Sequence, residues 1–303
     1  MRLGTRGSKL ALAQAEKVRA LLEARGVAAE IRIVRTAGDA QADRPLYALK
    51  GYGAFVREID ELLLRGEIDA AVHSLKDIPT ERPSGLAPAA VLPRESALDL
   101  AVARDGRRLS ELPEGAVIGT SSTRRAALVR RHCPGLQIRD IRGNVDTRLR
   151  KLAAGEYDAV LLAEAGPLRL GLDVKGERLD PYQFVPAANQ GVIAVVAREG
   201  SPELEQLRRL NDATTAMETR AERIIAARLD SGCVVPLGAY ARLTDKDLDV
   251  VCEVLSLDGS RQARLRETIP VDSYEAGAAR LADRLAAAGG REIAEAARRE
   301  LLR

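Results

Sequence analysis

From Arg2 to Ala163 short apolar runs alternate with amphipathic stretches of helical period, and a chain written that way is confined to an α/β architecture with a largely parallel sheet. Arg2 to Thr5 reads as a strand. Ser8 then caps a helix whose Leu10, Ala13, Val18, Leu21 and Leu22 fall on one stripe. Ile31 and Ile33 alternate with Arg32 in a second strand, residues 54–65 form a helix, and Asp69 to Val72 a buried strand running into His73-Ser-Leu-Lys-Asp77. Between Gly38 and Gly53 a polar, glycine-rich stretch with Pro45 lacks periodicity, which suits a lid over a site.

A second α/β unit begins after Pro93. Its strands lie near Leu100 to Ala103, Ala116 to Gly119, Gln137 to Ile141 and Ala159 to Ala163, with helices from Ser122 and Asn144; Pro181 to Pro186 reads as a crossing back. From about Thr215 the pattern changes to one helix, strands around 239–243, 248–257 and 262–271, and a single long Ala/Arg-rich helix to the C-terminus, a small α+β domain.

With 303 residues, 46% of them hydrophobic, the chain buries a sizeable core. It lacks an apolar run of the ~18 residues a spanning helix needs, and Arg2, Arg6 and Lys9 break the N-terminal stretch where an export signal would be apolar. The three cysteines form no C-x-x-C pair and there are two histidines, so a disulfide framework and a metal site are not expected. Charge is uneven: residues 119–151 hold nine basic side chains against two acidic ones, which points to an anionic partner or to a solvated face in a chain that prefers arginine.

Three strand-to-helix turns share one design: Gly4-Thr-Arg6-Gly-Ser8, Gly119-Thr-Ser-Ser122-Thr-Arg124-Arg125, and Arg142-Gly-Asn144 followed by Arg148. Each offers free backbone N–H groups, a small capping residue and arginine at the carboxyl edge of a strand, where open α/β sheets bind ligands. Guanidinium suits planar carboxylate. Nucleic acid is disfavoured, since there is no Trp and neither the two Phe nor the six Tyr interleave with the arginines. Asp77, between Lys76 and Pro79, is a turn cap or a catalytic carboxylate on local sequence alone. Cys233, in Ser231-Gly-Cys-Val-Val-Pro-Leu-Gly238, lies on a loop where a thiol is accessible; Cys133 and Cys252 fall in or beside regular elements and read as small apolar residues.

These segments, with Ala71-Val-His-Ser-Leu-Lys-Asp-Ile-Pro79 and Gly4 through Gln14, together resemble the porphobilinogen deaminase (hydroxymethylbilane synthase) family, in order over essentially the whole chain. The resemblance implies two periplasmic-binding-protein-like α/β domains around a cleft, spanning 1–93 with 188–209 and 97–184, plus a small α+β domain at 214–303. It implies a cytoplasmic, monomeric transferase that joins four porphobilinogen molecules head to tail with loss of ammonia and releases a linear tetrapyrrole, without nucleic acid or membrane. It also implies a covalent dipyrromethane cofactor on the residue matching Cys233, a catalytic carboxylate at Asp77, and cofactor and substrate binding by Arg6, Ser8, Gln14, Ser74, Lys76, Ser122, Arg124, Arg125, Arg142, Arg148 and Arg169. Departures from the family pattern are Lys9 for a proline, Lys50 and Tyr52 around a lid lysine, Pro167 before Arg169, and Asn189 for a glycine. The alternative is a non-catalytic small-anion binding or sensing protein, which would leave Cys233 without a purpose.

Overall fold

Strand β1 (Arg2–Arg6) runs into helix α1 (Lys9–Glu23), and the computed structural model describes this chain over residues 1–35, 56–79, 82–229 and 235–301. The expected lid, with Lys50 and Tyr52, and the expected attachment residue Cys233 lie outside those residues. Ser8 accepts the Ala11 N–H and so caps α1, as its sequence requires. The buried face of α1 is Gln14, Ala15, Val18 and Leu22, turned slightly from the expected stripe. Then come β2 (Glu30–Val34), α2 (Arg57–Leu64), β3 (Ala70–Ser74) and β4 (Leu86–Val91). A segment through Pro93 leads to β5 (Asp99–Ala103), β6 (Val117–Gly119), α3 (Thr123–His132), β7 (Gln137–Arg139), α4 (Val145–Ala153), β8 (Ala159–Ala163), α5 (Ala165–Arg169) and β9 (Glu177–Arg178). A second crossing segment returns the chain to β10 (Ile193–Arg198).

The two sheets repeat one topology. The first has the order β2-β1-β3-β10-β4 and the second β7-β6-β8-β5-β9. In each, four strands run the same way and the fourth in the order, β10 or β5, runs against them, and that reversed strand is the one that enters from the other domain. The arrangement is that of two like α/β domains joined by two crossings. Both faces of each sheet are covered. Along β10, Ile193, Val195 and Ala197 pack toward α1, while Ala194 and Val196 pack toward α2. Complete burial of each large aliphatic contributes about 1.5–3 kcal/mol, so these faces dominate the stability of the scaffold.

After α6 (Glu203–Arg208) and α7 (Ala213–Arg228), an antiparallel sheet of β11 (Leu237–Thr244), β12 (Asp247–Leu255) and β13 (Gln262–Pro270) packs on α7, α8 (Tyr274–Leu285) and α9 (Arg291–Leu301). The expected long C-terminal helix is therefore two helices. They part at Ala286–Gly290, where Gly289 takes φ 96°, a left-handed conformation that glycine adopts without steric penalty. Asn189 also sits at positive φ, 65°, a conformation that glycine adopts freely and that asparagine is among the side chains to tolerate best.

Candidate active site

The parallel strands β1, β3 and β6 all end toward one cleft, and each following turn delivers polar groups there. At β1, Arg6 ends the strand and Ser8 caps α1; among the described residues its oxygen accepts from Ala11 N, which leaves the hydroxyl hydrogen to donate. Gln14 is 2% exposed and donates to Ser74 Oγ at 2.7 Å. Gln14 thus fixes Ser74 and does not itself open to the cleft.

Beyond β3 the chain makes one 3-10 turn, Leu75–Asp77, closed by Ile78 N–H to Leu75 C=O at 3.1 Å. Leu75 and Ile78 are buried anchors, and they push Lys76 and Asp77 outward. Asp77 caps nothing and has no hydrogen-bond or ion-pair partner among the described residues. The turn-capping alternative is therefore not what this carboxylate does. Lys76 reaches solvent but is ringed by protein; that desolvation, with the Arg125 and Arg124 charges, pushes its ammonium down to about 8 against the pull of Asp77 and Asp99. His73, one strand position before Ser74, is buried and held near 3 by desolvation and the Arg82 and Arg6 charges, so it stays neutral at working pH.

On the second sheet, Ser122 caps α3 by accepting from Arg125 N–H. Ser121 Oγ donates to Ile141 C=O at 2.7 Å and accepts Ile141 N–H, which ties this turn to the Arg142 turn. Arg142-Gly143-Asn144 then enters α4. Gly143 has φ 110°, and a Cβ there would fall 2.5 Å from Thr147, so only glycine closes this turn; its carbonyl accepts from Arg148 Nε at 2.9 Å. Arg148 has no carboxylate partner among the described residues. Desolvation and the neighbouring Arg125 and Arg142 charges push its guanidinium down to about 10, the signature of positive charge gathered without its counter-ion.

Three of the expected arginines face inward. Arg124 and Arg125 lie at 4% and 7% exposure and share Asp99, at 2.7 and 2.8 Å, with Arg124 also donating to Val185 C=O. Burial opposes the Asp99 charge, but the two guanidiniums outweigh it and hold the carboxyl well below the usual range. Arg169 donates to Glu95 Oε2 at 2.5 Å and to Gly191 C=O at 2.7 Å. Among the described residues these three arginines are held by buried or half-buried protein partners, while Lys76 and Arg148 both lie close enough to Arg125 to feel its charge.

Two residues that the motif reading did not single out organise this cluster. Gln190, 1% exposed on the second crossing, donates to Asp99 Oδ1 at 2.8 Å and accepts from both Lys76 and Arg125 at 3.4 Å. It links the Asp77 turn of one domain to the arginine helix of the other. Asp99 had a signal in the sequence: a lone carboxylate opening the apolar run Leu100-Ala-Val-Ala103 needs a buried cation. Cys252 is buried and its thiol is pushed up to about 12, and burial also raises that of Cys133; neither behaves as a reactive thiolate. No group of three metal-ligating side chains occurs, and no helix is long and apolar enough to cross a membrane, among the described residues.

Residues 1–206 match the family model of the porphobilinogen deaminase dipyrromethane cofactor binding domain, and residues 216–287 match that of the porphobilinogen deaminase C-terminal domain. A probable porphobilinogen deaminase of Methanocella arvoryzae is 67% identical over 301 residues, covering 99% of both chains. One of Methanosarcina acetivorans is 49% identical over 98% of this chain and 95% of its own. A porphobilinogen deaminase of Rubrobacter xylanophilus is 47% identical over 85% of each. With models covering both parts of the chain and relatives aligned nearly end to end, this chain belongs to the porphobilinogen deaminase family.

Proposed function

We propose that the protein is a hydroxymethylbilane synthase, a transferase that condenses four porphobilinogen molecules head to tail, releases ammonia at each joining, and frees the linear tetrapyrrole with water. The observation that carries this reading is Asp77, a carboxylate without a partner among the described residues, presented beside Lys76, whose ammonium feels the Arg125 and Arg124 charges as well as that of Asp77. Such a site is built for a ligand that is anionic at its edge and cationic at its reacting centre. Porphobilinogen is that ligand: its ring carries an acetate and a propionate, and its ring nitrogen becomes positive when the aminomethyl C–N bond breaks.

The dipyrromethane group has four carboxylates of the same kind, and the residues present fit it. Arg148 lacks a carboxylate partner among the described residues, and Arg142, Lys76 and the Ser122 hydroxyl stand with it as donors. When bound, the group supplies the free pyrrole α-carbon that starts the chain. Cys233 would hold it by a thioether, since burial raises the Cys133 and Cys252 thiols and suits neither to the attachment. Ser8, Ser74 and Arg6 supply donors from the first domain.

The protein's part in chemistry rests on Asp77. The protonated aminomethyl nitrogen leaves as ammonia with its bonding pair, and the positive charge left behind is shared by the ring nitrogen. A fixed carboxylate beside that N–H stabilises this charge more than the neutral ring that preceded it, which lowers the barrier. The surrounding arginines hold the carboxylates so that the attacking α-carbon and the electrophilic carbon meet. Gln190 and Asp99 keep Lys76 and α3 in register across the domain boundary. We place the three domains at 1–93 with 188–209, 97–184 and 214–303, in agreement with the three sheets, and read the protein as a cytoplasmic monomer acting on a small molecule without nucleic acid.

Intact-mass measurement of protein from cells that make porphobilinogen tests the reading. The wild type should carry the mass of two linked pyrrole units, Cys233→Ala should lack it, and the purified wild type should convert porphobilinogen to a tetrapyrrole. An unmodified, inactive wild type contradicts it.

A further inference from the structure

Helix α1 makes two ionic contacts with the other side of the cleft. At its first residue, Lys9 Nζ lies 3.1 Å from Asp146 Oδ2 in the first turn of α4. Eight residues later, about 12 Å along the axis, Lys17 Nζ lies 2.5 Å from Glu95 Oε1 on the first crossing segment. The other oxygen of Glu95 accepts from Arg169 at the end of α5. Arg169 and the Glu95 N–H both bond to Gly191 C=O on the second crossing segment, at 2.7 and 3.2 Å. A Cβ at Gly191 would lie 1.9 Å from Ser96 C=O, so the two crossings touch backbone to backbone here and form the pivot between the domains.

The outer contact lies in an unexpected place. Asp146 stands between Arg142 and Arg148, where a free carboxylate would repel an anionic ligand. Lys9 neutralises it, and its hydrogen bond holds the Asp146 carboxyl below the ordinary range. At the pivot, burial raises Glu95, but the Lys17 hydrogen bond and the Arg169 charge outweigh it and keep it ionised. The rim contact is open to solvent, with Lys9 74% exposed, while Arg169 is 6% exposed. Lys17 is itself 43% exposed, so both lysine contacts are weak and screened, and only the Arg169 contact on the other oxygen of Glu95 is sheltered; weak lysine contacts suit a cleft that must open repeatedly for a lengthening ligand.

We infer that Lys9 and Lys17 are positioning residues, a two-point ionic clamp by which α1 holds the helices bearing Arg148 and Arg169 against the Asp77 turn. The inference rests on the deaminase reading for its kinetic readout alone. Lys9→Asp should leave α1 intact, since an acidic residue is favourable in a first helical turn. It should raise KM for porphobilinogen roughly two- to fivefold with kcat little changed, and widen the small-angle scattering profile of the ligand-free protein. Lys17→Gln should do the same. Adding Asp146→Lys to Lys9→Asp should restore both readouts, whereas adding Glu156→Lys, which has the same net charge but lies beyond the far end of α4, should restore neither. Salt should raise the wild-type KM more than that of Lys9→Asp. The clamp is overturned if the single variants scatter and bind like wild type, or if the Glu156→Lys control rescues as well as the swap. A wild type that makes no tetrapyrrole would refute the deaminase reading instead, and scattering would still decide the clamp.

Discussion

Asp99→Asn removes one charge and almost no volume, so its effect isolates the electrostatics of the buried arginine pair. In the wild type the carboxylate takes Arg124 at 2.7 Å, Arg125 at 2.8 Å and Gln190 at 2.8 Å, with no exposed surface of its own side chain. The amide would leave two buried guanidiniums without a counter-charge and one of its own N–H groups facing a donor. Leaving a buried charge unpartnered costs about 3–5 kcal/mol, a large share of the ~5–15 kcal/mol that a folded protein commands. Arg125 is already pushed down by desolvation, opposed chiefly by Asp99, so this loss falls on it most directly. Urea unfolding at pH 7 should show that drop, and KM should rise because α3 loses its fixed place beside Gln190. The pH dependence follows from the depressed carboxyl. Its contribution is complete above the unfolded value near 4 and fades as pH falls below that toward the folded value. The wild type should therefore lose stability more steeply than Asp99→Asn as the solution is acidified below about pH 4. A variant within about 1 kcal/mol of wild type at pH 7 would refute the reasoning, since a buried charge deprived of its partner should cost more.

Lys76, held at about 8, carries its ammonium below that pH and loses it above. KM for porphobilinogen should therefore rise roughly fivefold between pH 7 and pH 9 in the wild type, as a charge-assisted hydrogen bond is lost, and this rise should be absent in Lys76→Gln. Arg148→Ala should raise KM about tenfold or more, or stall elongation at an intermediate length seen by mass, because a ligand carboxylate would remain without its cation. Arg299→Ala, on the exposed face of α9, should change neither; equal effects at both sites would make the basic excess a surface property only.

The alternation of strand and helix was legible because it is local. Ala159–Ala163 appears as a strand with its expected bounds, and Ser8 and Ser122 cap the helices they precede. What sequence could not express was the direction of a side chain. Arg124 and Arg125 sit in a capped, arginine-bearing turn like that of Arg6, yet they turn inward because Asp99, 25 residues earlier, waits there. Gln190 is 91 residues from Asp99 and 114 from Lys76, a contact that only the folding-back of the second crossing creates. The C-terminal helix kept its period through Ala286–Gly290, so the break at Gly289 left little trace in hydrophobic spacing. Asp77 was ambiguous between cap and catalyst until the turn was seen to close without its side chain.

That carboxylate is the centre of the account, and Asp77→Asn on protein already carrying its adduct is the most direct measurement of it. Because Asp77 has no structural partner among the described residues, the variant should unfold at the wild-type midpoint and keep a near-normal KM. Its turnover of porphobilinogen should fall about 10²- to 10³-fold, the scale on which removing one preorganised group that meets developing charge is felt. A folded, adduct-bearing variant turning over at close to the wild-type rate would contradict the assignment of Asp77 as the group that stabilises the reacting ring.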